Sequence, residues 1–175
     1  MIETTVILVI VLIGAVLVSA STRPDTFRVE RAIRIDAPPE RIFAHINDLT
    51  KWEAWSPWER MDPTMKKTLS GAPEGKGAVC EWIGNNKVGH GRMEILESVP
   101  ASRVRIKLDF CKPFEAHNQA EFALVPSPGS TQVTWAMFGP QPYIAKVMSL
   151  LIDCEKMVGP QFETGLANLK ALTEK

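Results

Sequence analysis

The residues of this chain that could carry chemistry are few and scattered. His45, His90 and His117 lie far apart, and none sits in a metal-ligand spacing. Cys80, Cys111 and Cys154 are odd in number and widely spaced, which is neither a disulfide framework nor a zinc site. They read as small apolar fillers. Lys112 beside Cys111 could lower that thiol's pKa, but no base partner accompanies it. The stretch Gly71 to Gly77, GAPEGKG, has a superficial likeness to a phosphate loop. Its spacing is wrong and no Ser or Thr follows the lysine, so it is turn chemistry. There is no G-x-S-x-G elbow, and spacing places no acidic pair for acid–base work. Nothing here forces an enzyme, and no metal or cofactor is expected.

What remains is binding chemistry. Asn118 is the one polar member of an otherwise apolar strand face, Phe114, Ala116, Asn118, Ala120 and Phe122. A buried amide needs a partner, from the protein, a trapped water or a ligand. Apolar surroundings with one polar anchor are how small-molecule sites are built. Trp52, Trp55 and Trp58 recur at three-residue spacing until Pro57 intervenes. They suit either an aromatic rim over a cavity or a packing plug against the sheet end. Trp82, Asn118 and Trp135 from the strands, with Phe162 and Leu166 from a helix, are expected to line one continuous cavity. Trp52 and Trp55 complete the candidate ligand-binding set. Ala78, Ala116 and Ala120 would leave it space.

The elements that must position these residues are mostly strands. Phe27 to Ile35 alternates apolar and polar residues, with Arg31 the odd member of the apolar side. Asp36-Ala37-Pro38-Pro39 then leads into a short helix, Glu40 to Asn47. Six further strands are expected: Lys66–Leu69, Ala78–Ile83, Gly89–Val99, Arg103–Phe110, Phe114–Val125 and Thr131–Phe138. Their short connections imply an antiparallel meander. The C-terminal end reads as helix, interruption, helix. Ile144, Val147, Met148, Leu151 and Ile152 share one face, and Gly159-Pro160 interrupts. Phe162, Gly165, Leu166, Leu169 and Leu172 share the next, with Glu163, Lys170 and Glu174 opposite. A sheet with one apolar face needs a cover, and this helix is the long candidate. The fold class is α+β, a sheet of about seven strands wrapped round a C-terminal helix.

The chain has 175 residues with 20 basic and 20 acidic side chains interspersed, so no basic patch marks a nucleic-acid partner. Val6 to Ala20 is almost wholly aliphatic. It falls short of the roughly 20 residues of a full span, though its flanks can extend it. An uncleaved anchor, residues 1–20, competes with a signal peptide cleaved after Val18-Ser19-Ala20 and with a core helix. The lead-in carries Glu3 and no Lys or Arg, which favours the anchor. Arg23, Arg28 and Arg31 beyond it favour a cytoplasmic domain. A cleaved signal would instead leave it secreted or periplasmic. Residues 21–25 form a linker, and residues 26–175 the globular domain.

The stretches VERAIRIDAPPERIFAHINDLTKWEAWSPW, GKGAVCEW, KPFEAHNQAEF, TQVTWAMFGP and GLANLK carry a likeness. Together with the order β-αα-β6-α, they resemble the helix-grip fold of the START and birch-pollen-allergen (SRPBCC) superfamily. More narrowly, the chain resembles its polyketide cyclase/dehydrase-type members over about residues 26 to 174. The resemblance implies a hydrophobic small molecule or lipid as partner. The alternatives are a cyclase or dehydratase using the same pocket, and an interaction module whose interior is filled by its own side chains.

Overall fold

The computed structural model describes residues 2–112, 115–150 and 153–175. The apolar N-terminal segment is one helix, α1 (Ile2–Ser21). Seven strands follow: β1 (Thr26–Ile35), β2 (Lys66–Gly71), β3 (Ala78–Ile83), β4 (His90–Val99), β5 (Arg103–Lys112), β6 (Ala116–Ser127) and β7 (Ser130–Pro140). Between β1 and β2 lie α2 (Pro39–Ile46), a 3₁₀ turn (Leu49–Ala54) and the single turn α3 (Trp58–Met61). The C-terminal end forms α4 (Tyr143–Met148) and α5 (Cys154–Thr173).

All seven strands make one antiparallel sheet in the order β1-β7-β6-β5-β4-β3-β2. The meander β2 to β7 follows the chain, and β1 closes it against β7. Register places Arg31 opposite Trp135, Phe122 opposite Trp135, and Asn118 opposite Leu108. Strict alternation therefore puts Cys80, Trp82, Ile106, Leu108, Asn118, Phe122, Trp135 and Arg31 on one face, the face that α5 and α2 cover. Phe114, expected on this face, and Leu151 and Ile152, expected on the first C-terminal helix, lie outside the described residues.

The C-terminal region differs from expectation in where it breaks. Gly159-Pro160 does not interrupt the helix; α5 runs through it. The helix starts instead at Asp153, whose carboxylate accepts from the Glu155 and Lys156 amides as an N-cap. A proline inside a helix removes one backbone bond. Here Arg31 spans that weak point from β1: Nη1 meets Glu155 at 2.6 Å and Nε meets Glu163 at 2.6 Å. Gly159 permits this approach, since a Cβ there would lie 2.3 Å from Arg31 Nη2. Arg31 is thus the odd member of an apolar face because it reaches the helix, where Glu163, still exposed to solvent, pairs with it.

The glycine-rich stretch is a clasp. The Gly75 amide donates to the Asn47 carbonyl at 2.9 Å, and Ser98 Oγ donates to Asn47 Oδ1 at 2.6 Å. The amide a phosphate would need is already spent on the end of α2. Of the cysteines, Cys80 is buried and Cys154 half-buried, while Cys111 is exposed and so is no filler. Burial pushes the Cys80 thiol up to about 11, an unreactive position.

Candidate functional site

The covered face of the sheet has two ends. One end carries the start of β1, the end of β7, the start of β6 and the end of β5, since antiparallel pairing aligns Thr26 with Pro140 and Phe110 with Ala116. Here Phe27, Met93, Leu108, Phe110, Ala116 and Gly139 are all only half-buried. The opposite end carries Ile35, Ile95, Val104, Phe122 and Val133, all fully buried. The helices explain the difference. α2 and the last turn of α5 close that far end, where the Asp36 amide donates to Glu174 at 2.7 Å and Arg41 donates to the Thr173 carbonyl at 3.0 Å.

The closed half is an aromatic plug. Trp135 stacks on Phe162 at 4.2 Å and on Phe122 at 4.8 Å between ring centroids. Trp52, Trp55 and Trp58 meet Trp135 edge-on at 6.3, 5.5 and 5.5 Å. The Trp52 and Trp55 indoles donate to the carbonyls of Ile46 and His45, which locks the 3₁₀ turn against α2. Gly165 makes room for the plug: a Cβ there would lie 2.7 Å from Trp135. Leu166 packs beside it in the same core cluster. Trp135 Nε1 is buried within the plug and has no hydrogen-bond partner among the described residues.

The structure therefore gathers Trp52, Trp55, Trp135, Phe162 and Leu166 at one place and sets Trp82 and Asn118 elsewhere. Trp82 lies towards the open end, edge-on to Phe110 at 5.8 Å, with its indole donating to the Val88 carbonyl at 3.0 Å. Asn118 is 9 % exposed, pressed against Gly139, and its amide has no hydrogen-bond partner among the described residues. Two concavities of about 220 and 250 Å³ open among the described residues, the first lined in part by Asn118 and Gly139. The first is on the outer face of the sheet around Lys107, His117 and Phe138; the second lies at its edge, between the 3₁₀ turn and β2–β3.

Met93 escaped the sequence reading and joins the open half opposite Leu108; Phe27, read there only as an apolar position of the first strand, joins it opposite Gly139. Continuing the alternation across β4 would have found Met93, but a bulge between Ile95 and Glu97 obscures that strand's period. Two charged residues of the covered face, Arg31 and Lys67, are engaged in ion pairs. Arg31 is held protonated by Glu163 and Glu155, and Lys67 meets Glu59 of α3 at 2.7 Å. His117 lies on the outer face, and its hydrogen bond to Asp109 raises its pKa. Among the described residues no group of three or more His, Cys, Asp or Glu could hold a metal ion.

Several solved structures share this architecture. Protein CV1439 from Chromobacterium violaceum superposes with a TM-score of 0.60 at 19% identity, covering 87% of this chain and 99% of its own. The di-domain ARO/CYC BexL from the BE-7585A biosynthetic pathway gives 0.64 at 15% identity, over 90% of this chain and 53% of that one. The Aha1 dimer from Colwellia psychrerythraea gives 0.55 at 16% identity, over 85% and 96%. At such identities the likeness is one of fold, the α+β helix-grip fold. Among curated proteins none matches. The family model for polyketide cyclase / dehydrase and lipid transport matches residues 26–174. The chain therefore belongs to the polyketide cyclase/dehydrase and lipid transport family.

Proposed function

We propose that the chain is a membrane-anchored binding domain for a hydrophobic small molecule or lipid, held on the half-covered end of the inner sheet face. The observation that carries this reading is the apolar, half-buried surface of Phe27, Met93, Leu108, Phe110 and Ala116 beside the unpartnered amide of Asn118. Apolar area left partly wet is costly, at roughly 25 cal/mol per Å², and a ligand that covers it recovers that free energy. Asn118 supplies the one directional contact. Trp82 forms a side wall. Trp52, Trp55, Phe162 and Leu166 act as the floor that limits how far a ligand penetrates.

The anchor is α1. Its window Thr4–Ser21 has a mean hydropathy of 2.6 and is only 6% buried against the rest of the chain. A core helix would be covered, so a span or a signal segment is the better account. Arg23, Arg28 and Arg31 after it favour a cytoplasmic domain.

A second reading is an interaction module with a filled interior, favoured by the packed aromatic plug. An enzyme of cyclase or dehydratase type has less support, because Arg31 and Lys67 of the inner face are tied in ion pairs. Titration with an apolar fluorescent probe separates the first two. The domain without residues 1–20 should bind the probe, and Leu108→Trp, which fills the open half, should abolish binding. Absence of binding by the unmodified domain would favour the interaction module.

A further inference from the structure

We infer that the open end of the sheet, with α4, docks in the headgroup layer of the bilayer that α1 enters, so that the inner face takes its ligand directly from the membrane. This rests on the reading of α1 as an uncleaved anchor.

Three contacts fix α4 and its C-cap against the end of α1 and the linker that follows it. Tyr143 Oη donates to the Leu17 carbonyl at 2.9 Å. Arg23 Nη1 donates to Ser149 Oγ at 3.0 Å. Lys146, 8 % exposed at its side chain, meets Asp25 at 2.6 Å. Leu17 lies four residues inside the end of the apolar window, about 6 Å along the axis at 1.5 Å per residue. Tyr143 therefore sits just within the apolar boundary, at the depth where tyrosine is enriched in membrane proteins. Ile144 beside it is 71% exposed and Tyr143 48%, although Lys146 on the same short helix is buried. An apolar pair turned outward, flush with an apolar span, has the bilayer as its continuous neighbour. Arg23 stands just past the end of the apolar window, where a lipid phosphate is its natural counter-ion.

Strand register connects this helix to the binding face. α1 leads into Thr26, and Pro140 leads into α4, and these two residues are paired across β1 and β7. The membrane-proximal end of the sheet is therefore the end where Phe27, Gly139, Ala116 and Phe110 are half-buried. The capped end, at Ile35 and Thr131, points away. A ligand entering from the acyl chains meets the apolar inner face without crossing water.

The test is depth-dependent quenching on the full chain in lipid vesicles. Cys111→Ser and Cys154→Ser remove the accessible thiols, and Cys80 is buried. An environment-sensitive label is placed in turn at Ile144→Cys, at Ile10→Cys in α1 and at Val125→Cys, which is 60% exposed at the capped end. Lipids carry a nitroxide either near the headgroup or deep in the acyl chain. The expected result is loss of most emission at position 144 with the shallow quencher, at position 10 with the deep one, and no loss at position 125. Quenching at position 10 without quenching at position 144 would overturn the inference and leave the anchor standing. Lack of quenching at position 10 would remove the anchor and the inference together. Cross-linking of position 144 to a second copy, without lipid quenching, would overturn it in favour of a dimer contact.

Discussion

The two ends of the covered sheet face are built from the same alternating pattern and end up in different states. At the capped end, Val104, Phe122 and Val133 are fully buried beneath α2, the tryptophan turn and the C-terminal half of α5. At the open end, Leu108, Phe110 and Ala116 continue the same strands but are only half-covered. The difference lies in the cover rather than in the sheet. α2 and α5 meet at the far end, and the aromatic plug fills the space between them and the sheet. One end is thus closed by the helices, and the other stays half-covered.

The largest test of this contrast is stability. Phe122→Ala or Leu166→Ala should cost about 3–5 and 2–5 kcal/mol in chemical denaturation, the range for a fully buried side chain plus its cavity. Leu108→Ala should cost about 1 kcal/mol, since only part of its surface is removed from water on folding. Similar losses at both ends would erase the distinction.

Ligand recognition should show the reverse order. Asn118→Leu should leave stability nearly unchanged, because the amide has no protein partner to lose. It should weaken a ligand bearing a polar group by roughly 1–3 kcal/mol and spare a plain hydrocarbon, as paired titrations would reveal. Equal weakening of both would make Asn118 a structural residue.

A smaller effect is expected at the Arg31 bridge. Arg31→Met should lower the denaturation midpoint slightly at low salt. That difference should vanish at about 1 M salt, where the screening length is about 3 Å. A loss that persists in salt would mean that the side chain acts through packing along Gly159.

The smallest effect is with pH. Burial first, and then nearby Lys51, lowers the His45 pKa below the ordinary value of 6.5, so the folded state favours its neutral form. The unfolded chain then takes up the proton more readily, and stability falls as pH drops through that range. For His117 the hydrogen bond to Asp109 raises the pKa, so its contribution is present in acid and is lost as pH rises through the folded value. In denaturation series from pH 8 to 5, His45→Asn should flatten the acid-side loss and His117→Asn should steepen it.

Much of this was legible in the chain. Alternation in Arg103–Phe110 and Thr131–Phe138 identifies the inner face, and the helical repeat of Phe162, Leu166 and Leu169 identifies its cover. Pro160 misleads because a local rule about helix interiors ignores Arg31, which lies far away in sequence and bridges the two sides of the proline. The tryptophans were ambiguous because a rim and a plug use the same spacing, and only the carbonyls of His45 and Ile46 decide where the indoles turn. The contrast between the two ends was invisible, since Val104 and Leu108 occupy equivalent places in one pattern. It depends on where the helices stop.

The central claim is that the half-covered end holds an apolar ligand. Native mass spectrometry of the full chain, released from a mild detergent, tests it most directly when compared with Leu108→Trp. The account predicts an apolar molecule retained at one copy per chain by the unmodified protein and absent from the variant. A bare mass for both, or equal retention by both, would contradict it.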